Sequence, residues 1–352
     1  MKFEFYCLAN NRSGYGHLNR CLTLGKALRK KKWECNYNVI GNSTSTNIIK
    51  DFGFSGKSFL SFSSLKNDTC SKKNKTLNSR IAILDISHES VLSNKKQLIE
   101  WIKFLKKNFF KIIIIDTIGD KSISNFIKKS NFIIDILIIP YVSNISLPLN
   151  ANKKLFGPKF FIFSKYYSKL KKRKININVR NILITCGGSD PKNITLAILS
   201  SLIKIDVPLN IRVIFGPFYT KSLINKIKNL KKLKKHKISY YQSPLHLCNH
   251  MVWSDLTIST SGLSKYELAL TGTPSLLISI DKLHHKINLP FSKLKSSINL
   301  GIFQNKNDYL GKFDKILNDY NTRKNLSING QIALDALGTH RIIKEISNLN
   351  FK

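Results

Sequence analysis

The chain has 352 residues, and its 58 lysines and arginines outnumber its 20 aspartates and glutamates to give a formal net charge of +38. This length exceeds what one hydrophobic core usually organises, so we expect two domains. No apolar run approaches the roughly 18 to 20 residues that would span a membrane, and the first residues lack the apolar stretch of a secretory signal, which predicts a cytoplasmic protein.

The positive charge has two interpretations. Taken alone, it points to a nucleic acid or an anionic membrane surface as a partner. Lysine is spread, however, over every kind of position, including the exposed faces of probable helices, and this is typical of a chain-wide compositional bias. The densest basic tracts, 169–174 and 228–237, contain no recognisable nucleic-acid motif. We therefore expect no nucleic-acid partner, while a peripheral contact with an anionic membrane stays open.

The six cysteines are scattered without paired C-x-x-C spacing. Most of them lie in apolar segments, where a thiol packs as a small hydrophobic side chain. The candidate loops described below offer amides, hydroxyls and helix ends, but no cluster of carboxylates of the kind that magnesium prefers. We therefore expect no disulfide, no metal site and no cofactor. We also expect a monomer.

Short apolar runs in the first half of the chain predict buried parallel strands that alternate with helices. The predicted strands cover residues 2–8, 35–40, 81–86, 112–116 and 132–139. Segment 42–80 is rich in Ser, Lys and Asn, and its weak patterning supports no assignment. Together these elements predict one βα-repeating unit with a parallel sheet.

A second series of strands follows a basic, less periodic stretch of the chain. Its predicted strands cover residues 181–186, 211–215, 238–241, 256–259 and 275–280. We therefore assign residues 1–165 to an N-terminal α/β domain and residues 166–352 to a C-terminal one. The final stretch, 314–348, predicts two helices broken near Gly338, and such a tail could pack back across a cleft between the domains.

The first candidate site is the loop Gly14-Tyr15-Gly16-His17, which follows the first strand and precedes an apolar series at helical spacing. Gly14 and Gly16 let the backbone approach a ligand closely, and a helix start favours an anion. His17 lies at the edge where ligands of open α/β folds bind, and a neutral imidazole can take a proton from water or a hydroxyl. A tight turn with an incidental histidine explains this motif alone equally well.

A second loop with the same order of strand, small residues and helix opens the second half. Gly187, Gly188 and Ser189 precede Asp190, which we expect to be the N-cap, and Pro191, which we expect at the first helical position. The loop amides and the Ser189 hydroxyl suit a phosphate oxygen. A well-capped helix that binds nothing is the alternative.

A third such loop contains Ser261, Gly262 and Ser264, and it places Glu267 one turn into the following helix. The Glu267 carboxylate suits the two hydroxyl groups of a ribose. Alternatively, Glu267 is a first-turn acid that complements the helix dipole and needs no ligand. Three loops of this kind in one chain favour anion binding over coincidence.

With these motifs the chain resembles the nucleotide-sugar hydrolases of pseudaminic acid synthesis and the related spore-coat polysaccharide proteins. The resemblance spans most of the chain and rests on residues 14–24, 187–193 and 261–274, with a weaker match at 155–160. It implies the GT-B architecture, in which two Rossmann-like domains face a cleft. The second half is also similar to the N-acetylglucosaminyltransferase that makes lipid II, whose His-Gln-x-x-Asn segment resembles the run from His284 to Asn288.

The resemblance also implies a role for each candidate residue. The C-terminal domain would bind UDP, with Gly187 to Ser189 and Ser261 to Ser264 at the diphosphate and Glu267 at the ribose. The backbone around Leu245 would contact the uracil, and His284 and Asn288 would complete the substrate site. His17 would be the general base that activates water against the anomeric carbon, so that UDP leaves with inversion.

The first strand departs from the family, which usually carries an Arg and an Asp where this chain has Tyr6 and Leu8. The sugar and the acceptor therefore stay open. The leading function is hydrolysis of a UDP-activated amino or deoxy sugar in surface glycan or nonulosonic acid synthesis. The alternatives are an inverting glycosyltransferase with a UDP-sugar donor and a non-catalytic protein that binds polyanions.

Overall fold

The computed structural model describes residues 1–71, 80–117, 122–127, 132–142, 151–230, 235–304 and 309–349. The chain forms two compact units, of which the first comprises Met1–Phe163 together with Leu337–Lys352 and the second comprises Ser164–Ala336. The chain therefore builds most of the first unit, then the second, and returns to the first near its C-terminus. None of the helices in the described ranges is both long and apolar enough to cross a membrane.

Seven parallel strands form the sheet of the first unit, in the order β3-β2-β1-β4-β5-β6-β7. The strands are β1 Lys2–Ala9, β2 Glu34–Gly41, β3 Ser55–Phe59, β4 Arg80–Asp85, β5 Lys111–Ile115, β6 Ile134–Ile139 and β7 Ala151–Phe156. The helices between them are α1 Gly16–Arg29, α2 Ser43–Asp51, α3 Phe62–Ser71, α4 Glu89–Leu92, α5 Lys95–Asn108 and α6 Ile123–Ile127.

Six parallel strands form the sheet of the second unit, in the order β10-β9-β8-β11-β12-β13. The strands are β8 Asn181–Thr185, β9 Asn210–Phe215, β10 Lys237–Gln242, β11 Leu256–Thr260, β12 Ser275–Ser279 and β13 Ile298–Ile302. The helices are α7 Ile194–Leu202, α8 Lys221–Lys228, α9 Cys248–Trp253, α10 Ser264–Leu270, α11 Lys282–Lys293, α12 Leu310–Asn318 and α13 Tyr320–Ala333. The last helix, α14 Gly338–Ser347, belongs to the first unit.

The central strands explain why the sequence shows continuous apolar runs. Every residue of β6 and β11 is buried, as are the last four residues of β5. Strands that are covered on both faces need apolar side chains at successive positions rather than at alternate ones. The predicted fold class is therefore confirmed, because the chain has two Rossmann-like α/β domains with parallel sheets.

The strand order fixes where a ligand can bind in each domain. In the first sheet β1 lies between β2 and β4, and in the second sheet β8 lies between β9 and β11. In each sheet the chain therefore adds strands on one side of the first strand and then reverses and continues on its other side. Ligands of open α/β sheets bind at the carboxyl ends of the strands at such a reversal. The loops after β1 and β4 meet at one of these points, and the loops after β8 and β11 meet at the other.

The C-terminal tail differs from its expected assignment. The sequence predicts a second domain that covers residues 166–352, but the structure groups the residues from Leu337 onward with the first unit. Gly338 approaches the backbone so closely that an added Cβ would lie 2.1 Å from the carbonyl oxygen of Phe161, and the Thr339 hydroxyl donates to the Phe163 carbonyl at 2.8 Å. The predicted break near Gly338 is correct, while a second break at Asp319, which caps α13, makes three helices instead of two.

Candidate functional site

The loop after β1 is shaped by an Asn10 turn. The Asn10 side-chain oxygen accepts from the backbone amides of Arg12 and Ser13 at 2.9 Å each, and the Gly14 amide donates to the Asn10 carbonyl at 2.8 Å. Gly14 has a φ of 71°, which favours glycine, and an added Cβ there would meet nothing within 4 Å. The next glycine, Gly16, begins α1, whose preceding residue provides no side-chain cap. The loop therefore leaves the start of α1 open to an anion.

His17 is held by a buried carboxylate. Its Nδ1 lies 2.6 Å from Oδ1 of Asp85, the last residue of β4, which is fully buried, while the imidazole is 17 % exposed. An ionised carboxylate only accepts hydrogen bonds, so the proton between the two atoms belongs to Nδ1. In the neutral imidazole Nε2 is then the unprotonated nitrogen. It has no hydrogen-bond partner within the described part of the chain, whereas Nη2 of Arg20 also lies 3.2 Å from Nδ1. This is the tautomer of a base with its free lone pair on Nε2.

Arg20 completes this cluster one turn along α1. Its guanidinium donates to both carboxylate oxygens of Asp85 and to the hydroxyl of Tyr141, which follows β6. Burial alone would raise the pKa of Asp85. The positive charge of Arg20 has the opposite effect and holds that pKa below its usual value. His17 and the hydrogen bonds of both residues contribute less. Asp85 therefore stays ionised, and its hydrogen bond keeps the imidazole oriented.

His17 is predicted from the sequence as a site residue, whereas Asp85 and Arg20 are not. A signal for both exists: Asp85 ends an apolar strand beside the first one, and Arg20 follows His17 by three residues and so shares its helix face. Tyr6 and Leu8, which stand where the resembling family usually carries an Arg and an Asp, are buried in the core on β1. They take no part in the His17 cluster.

The loop after β8 packs against the loop after β9, which holds its backbone in place. Gly187 has a φ of 81°, and the Phe218 amide donates to the Gly188 carbonyl at 2.9 Å. A Cβ on Gly216, which follows β9, would lie 2.3 Å from the Gly187 carbonyl oxygen, so this position requires glycine. The backbone of Gly187, Gly188 and the half-buried Ser189 is thereby fixed.

The helix after this loop begins later than expected. Helix α7 starts at Ile194, and Asn193 at φ 56° is the residue before it, so neither Asp190 nor Pro191 occupies its predicted helical position. Asp190 nevertheless satisfies the helix start, because its carboxylate accepts from the amides of Ile194 and Thr195 at 2.8 Å each. This carboxylate closes the N-terminus of α7 and leaves less room for an anion there than the sequence suggested.

The loop after β11 is linked to helix α11. Asn288 is fully buried, and its amide nitrogen donates to the hydroxyls of Ser261 at 2.8 Å and Ser279 at 3.0 Å. The structure therefore brings together Ser261 and Asn288, which the sequence predicts as site residues on separate grounds. Gly262 beside them is exposed, and Ser264 begins α10.

Glu267 forms a hydrogen bond with Tyr167, a residue that no sequence motif predicts. The hydroxyl of the buried Tyr167 donates to its carboxyl, and burial raises the pKa of Glu267 to about 7. Protonation of this carboxyl therefore occurs near neutral pH. Tyr167 lies in the segment that enters the second unit, and no local motif marks it.

The remaining predicted residues occupy the same unit but lie apart from this network. His284 is bonded to the N-cap of α11, with its Nδ1 and its backbone amide each 2.8 Å from Oδ1 of Asp281. Leu245 lies in the loop after β10 and is 58 % exposed. No group of His, Cys, Asp or Glu in the described ranges has the arrangement of a metal site.

Comparisons with known proteins agree with this architecture. No family model matches the chain. It is 27 % identical over 333 residues to the uncharacterised protein MJ1062 of Methanocaldococcus jannaschii, covering 88 % of this chain and 65 % of that protein. It is 22 % identical over 209 residues to the spore coat polysaccharide biosynthesis protein SpsG of Bacillus subtilis, covering 57 % and 60 %. The chain thus spans less than two thirds of either relative.

Solved structures with this fold cover nearly the whole chain. Acinetobacter baumannii MurG superposes with a TM-score of 0.68 at 12 % identity, over 99 % of this chain and 100 % of that one. Anabaena HepE in complex with UDP-glucose has a TM-score of 0.58 at 12 % identity, over 99 % and 100 %. The complex of Staphylococcus aureus MnaA with UDP has a TM-score of 0.61 at 15 % identity, over 100 % and 98 %. The chain therefore has the GT-B type of fold.

Proposed function

We propose that this protein hydrolyses a UDP-activated sugar at its anomeric carbon. The observation that carries the proposal is the His17–Asp85 pair, in which a buried carboxylate fixes the proton on Nδ1 and leaves Nε2 free beside the Gly14–Gly16 loop. This is the arrangement of a general base that another group orients. A histidine that only packed a turn would need no buried, ionised carboxylate.

The reaction requires one proton transfer and one displacement. Nε2 of His17 takes a proton from water, and the water oxygen forms a bond to the anomeric carbon. The bond between that carbon and the oxygen of the β-phosphate breaks, and UDP leaves with the electron pair. The products are UDP and the free sugar, whose configuration is inverted because attack and departure occur on opposite faces. Asp85 stabilises the imidazolium that forms for the moment of reaction.

The second unit is proposed to hold the nucleotide. The braced loop at Gly187 and the Ser261 loop follow β8 and β11, the two strands at the reversal of its sheet. Exposed Leu245 follows β10 and the half-buried Glu267 follows β11, two strands of the same sheet. The UDP and UDP-glucose complexes of proteins with this fold support a uridine nucleotide. The similarity to a spore coat polysaccharide biosynthesis protein supports a sugar destined for a surface polysaccharide.

Replacing Glu267 with Ala is expected to weaken UDP binding by about 1 to 3 kcal/mol, because the ribose hydroxyls lose a charged hydrogen-bond partner. Calorimetry with UDP measures this loss. A UDP analogue without the ribose hydroxyls is the matched control, since it should bind the variant and the original protein equally. If the variant binds UDP with unchanged affinity, Glu267 does not contact the ribose.

Turnover is expected to need no metal ion, because the loops at both sheet reversals present amides, hydroxyls and one histidine rather than a carboxylate cluster. Activity with excess EDTA, compared with activity in added magnesium, tests this expectation. Activity that EDTA abolishes and magnesium restores would contradict it.

The experiment that tests the proposed function is incubation with a panel of UDP-sugars without any acceptor, following UDP release. Hydrolysis predicts release from at least one amino or deoxy sugar. Release that appears only after a hydroxyl acceptor is added would instead identify a glycosyltransferase. Binding that ignores the nucleotide and collapses steeply as salt rises would identify a polyanion-binding protein, because such binding is driven by counterion release.

A further inference from the structure

Lys265, the second residue of α10, is a buried cation next to the Ser261 loop. Its side chain is 2 % exposed. Its Nζ lies 3.2 Å from the carbonyl oxygen of Ser261, 3.3 Å from that of Ile287 and 3.2 Å from Oδ1 of Asn288. An ammonium group has three protons to donate, and each of them has an oxygen within reach. The side chain is therefore held in one place by neutral acceptors.

No carboxylate in the described part of the chain forms an ion pair with Lys265. On its own helix, the acid Glu267 is bonded to Tyr167, and the Tyr266 ring centroid is 6.0 Å from Nζ. On α11, the ring of Phe291 lies 5.3 Å away. On the first turns of α11, His284 is bonded to Asp281, and Nδ1 of His285 lies 3.3 Å from the Asn299 amide nitrogen. Lys286 adds only positive charge.

A buried ammonium without a counter-ion is energetically unfavourable, and buried charges are usually paired. Burial lowers the pKa of Lys265 to about 7, with no contribution from a charged neighbour. Carbonyl dipoles offset only part of this penalty. An anion bound near the lysine would supply the remaining stabilisation of its charged form.

Lys265 and Asn288 hold the same residue from two sides. Nζ approaches the Ser261 carbonyl, while the Asn288 amide donates to the Ser261 hydroxyl at 2.8 Å. Asn288 in turn offers its oxygen to Nζ and its nitrogen to Ser279 at 3.0 Å. A closed network therefore connects the ammonium to the loop that is proposed to contact the diphosphate.

We propose that Lys265 is a positioning residue of the nucleotide site, which holds the Ser261 loop and whose positive charge is balanced by the phosphate groups of the bound nucleotide. This inference rests on the proposed binding of UDP by the second unit. It gives the site a preference for nucleoside diphosphates over nucleosides. It also couples binding to a proton, because a lysine that is only partly protonated near pH 7 in the free protein becomes fully charged when the phosphates arrive.

Glu267 and Lys265, the two titratable groups of this site, give opposite pH dependences. Ribose binding to ionised Glu267 strengthens as pH rises through about 7, since the carboxyl must lose its proton. Phosphate binding next to Lys265 weakens as pH rises through about 7, since the lysine must keep its proton. The affinity for uridine is therefore expected to show only a rising limb, whereas the affinity for UDP shows a rising and a falling limb.

Calorimetry on the complete protein at about pH 8, in two buffers of different ionisation enthalpy, counts the protons exchanged on binding. Phosphate groups with a second pKa of about 6 are already ionised at this pH. The proposal predicts uptake of about half to one proton per UDP and no uptake for uridine. No uptake with UDP would overturn it, and this result needs no variant.

Lys265→Met keeps the buried hydrocarbon but removes the charge and the donors, while Lys265→Gln keeps two donors without the charge. Both variants are expected to lose about tenfold or more of the affinity for UDP, to keep the affinity for uridine within about twofold, and to abolish proton uptake. Equal losses for uridine and UDP would indicate a merely structural lysine and would overturn the proposal. If the original protein binds no UDP, it is the proposed function that fails, and the two failures are thus distinguishable.

Discussion

Replacing His17 with Asn is expected to lower the turnover of a UDP-sugar about a hundredfold to ten-thousandfold, the usual range for removal of a general base. Asn keeps a polar side chain at the start of α1 but has no nitrogen that can accept a proton near neutral pH. The affinity for UDP is expected to stay unchanged, because the proposed nucleotide loops belong to the second unit. Turnover, UDP affinity and melting temperature measured on one preparation test all three statements.

The matched control is His340→Asn, which changes an exposed histidine on α14 of the same unit. This control is expected to keep full turnover. A His17→Asn variant that is stable and fully active would end the catalytic assignment. A variant that loses melting temperature but keeps its rate per folded molecule would identify His17 as a residue that only packs the turn.

Replacing Asp85 with Asn is expected to lower both turnover and stability. The amide no longer enforces the proton on Nδ1 of His17, so turnover should fall about a hundredfold to ten-thousandfold, as when the orienting carboxylate of a triad is neutralised. Arg20 is left as a buried cation without its anionic partner, which should cost about 3 to 5 kcal/mol of unfolding free energy. Chemical denaturation and steady-state kinetics on the same variant measure the two losses.

Asp116, a second buried carboxylate, is the control that separates the loss of turnover from the loss of stability. Asp116, after β5, is fully buried and accepts from the hydroxyl of Ser87 and the amides of Ile123 and Ser124. Asp116→Asn is therefore expected to destabilise the first unit while the rate per folded molecule stays unchanged. If Asp85→Asn behaves in the same way, Asp85 is structural and does not orient the base.

The central strands could be predicted from the sequence because burial on both faces leaves an unbroken apolar run. The sequence does not predict β3, β7 and β13. All three are edge strands, which pair with a neighbouring strand on one side only. β7 reads Ala-Asn-Lys-Lys-Leu-Phe and exposes both lysines, and β3 contains a glycine between polar residues. Such strands depend on pairing with a neighbour rather than on their own pattern.

The site was predictable where it follows local motifs and hidden where it depends on distant pairing. Glycine loops after strands identified His17 and Ser261, since short motifs carry this information. Asp85 is 68 residues from His17 and Asn288 is 27 residues from Ser261, and only the parallel pairing of strands brings each pair together. Lys265 was missed for a different reason, because a lysine in a lysine-rich chain reveals nothing about its burial.

The most direct test of the proposed hydrolysis is the anomeric configuration that the free sugar has at the moment of its release. Proton NMR during turnover of a UDP-sugar, without acceptor, follows the signal of the anomeric proton before the free sugar equilibrates in water. Attack by a water that His17 activates predicts a free sugar with inverted configuration, together with an equal amount of UDP. Release with retained configuration, or no release of free sugar from any UDP-sugar, would contradict it.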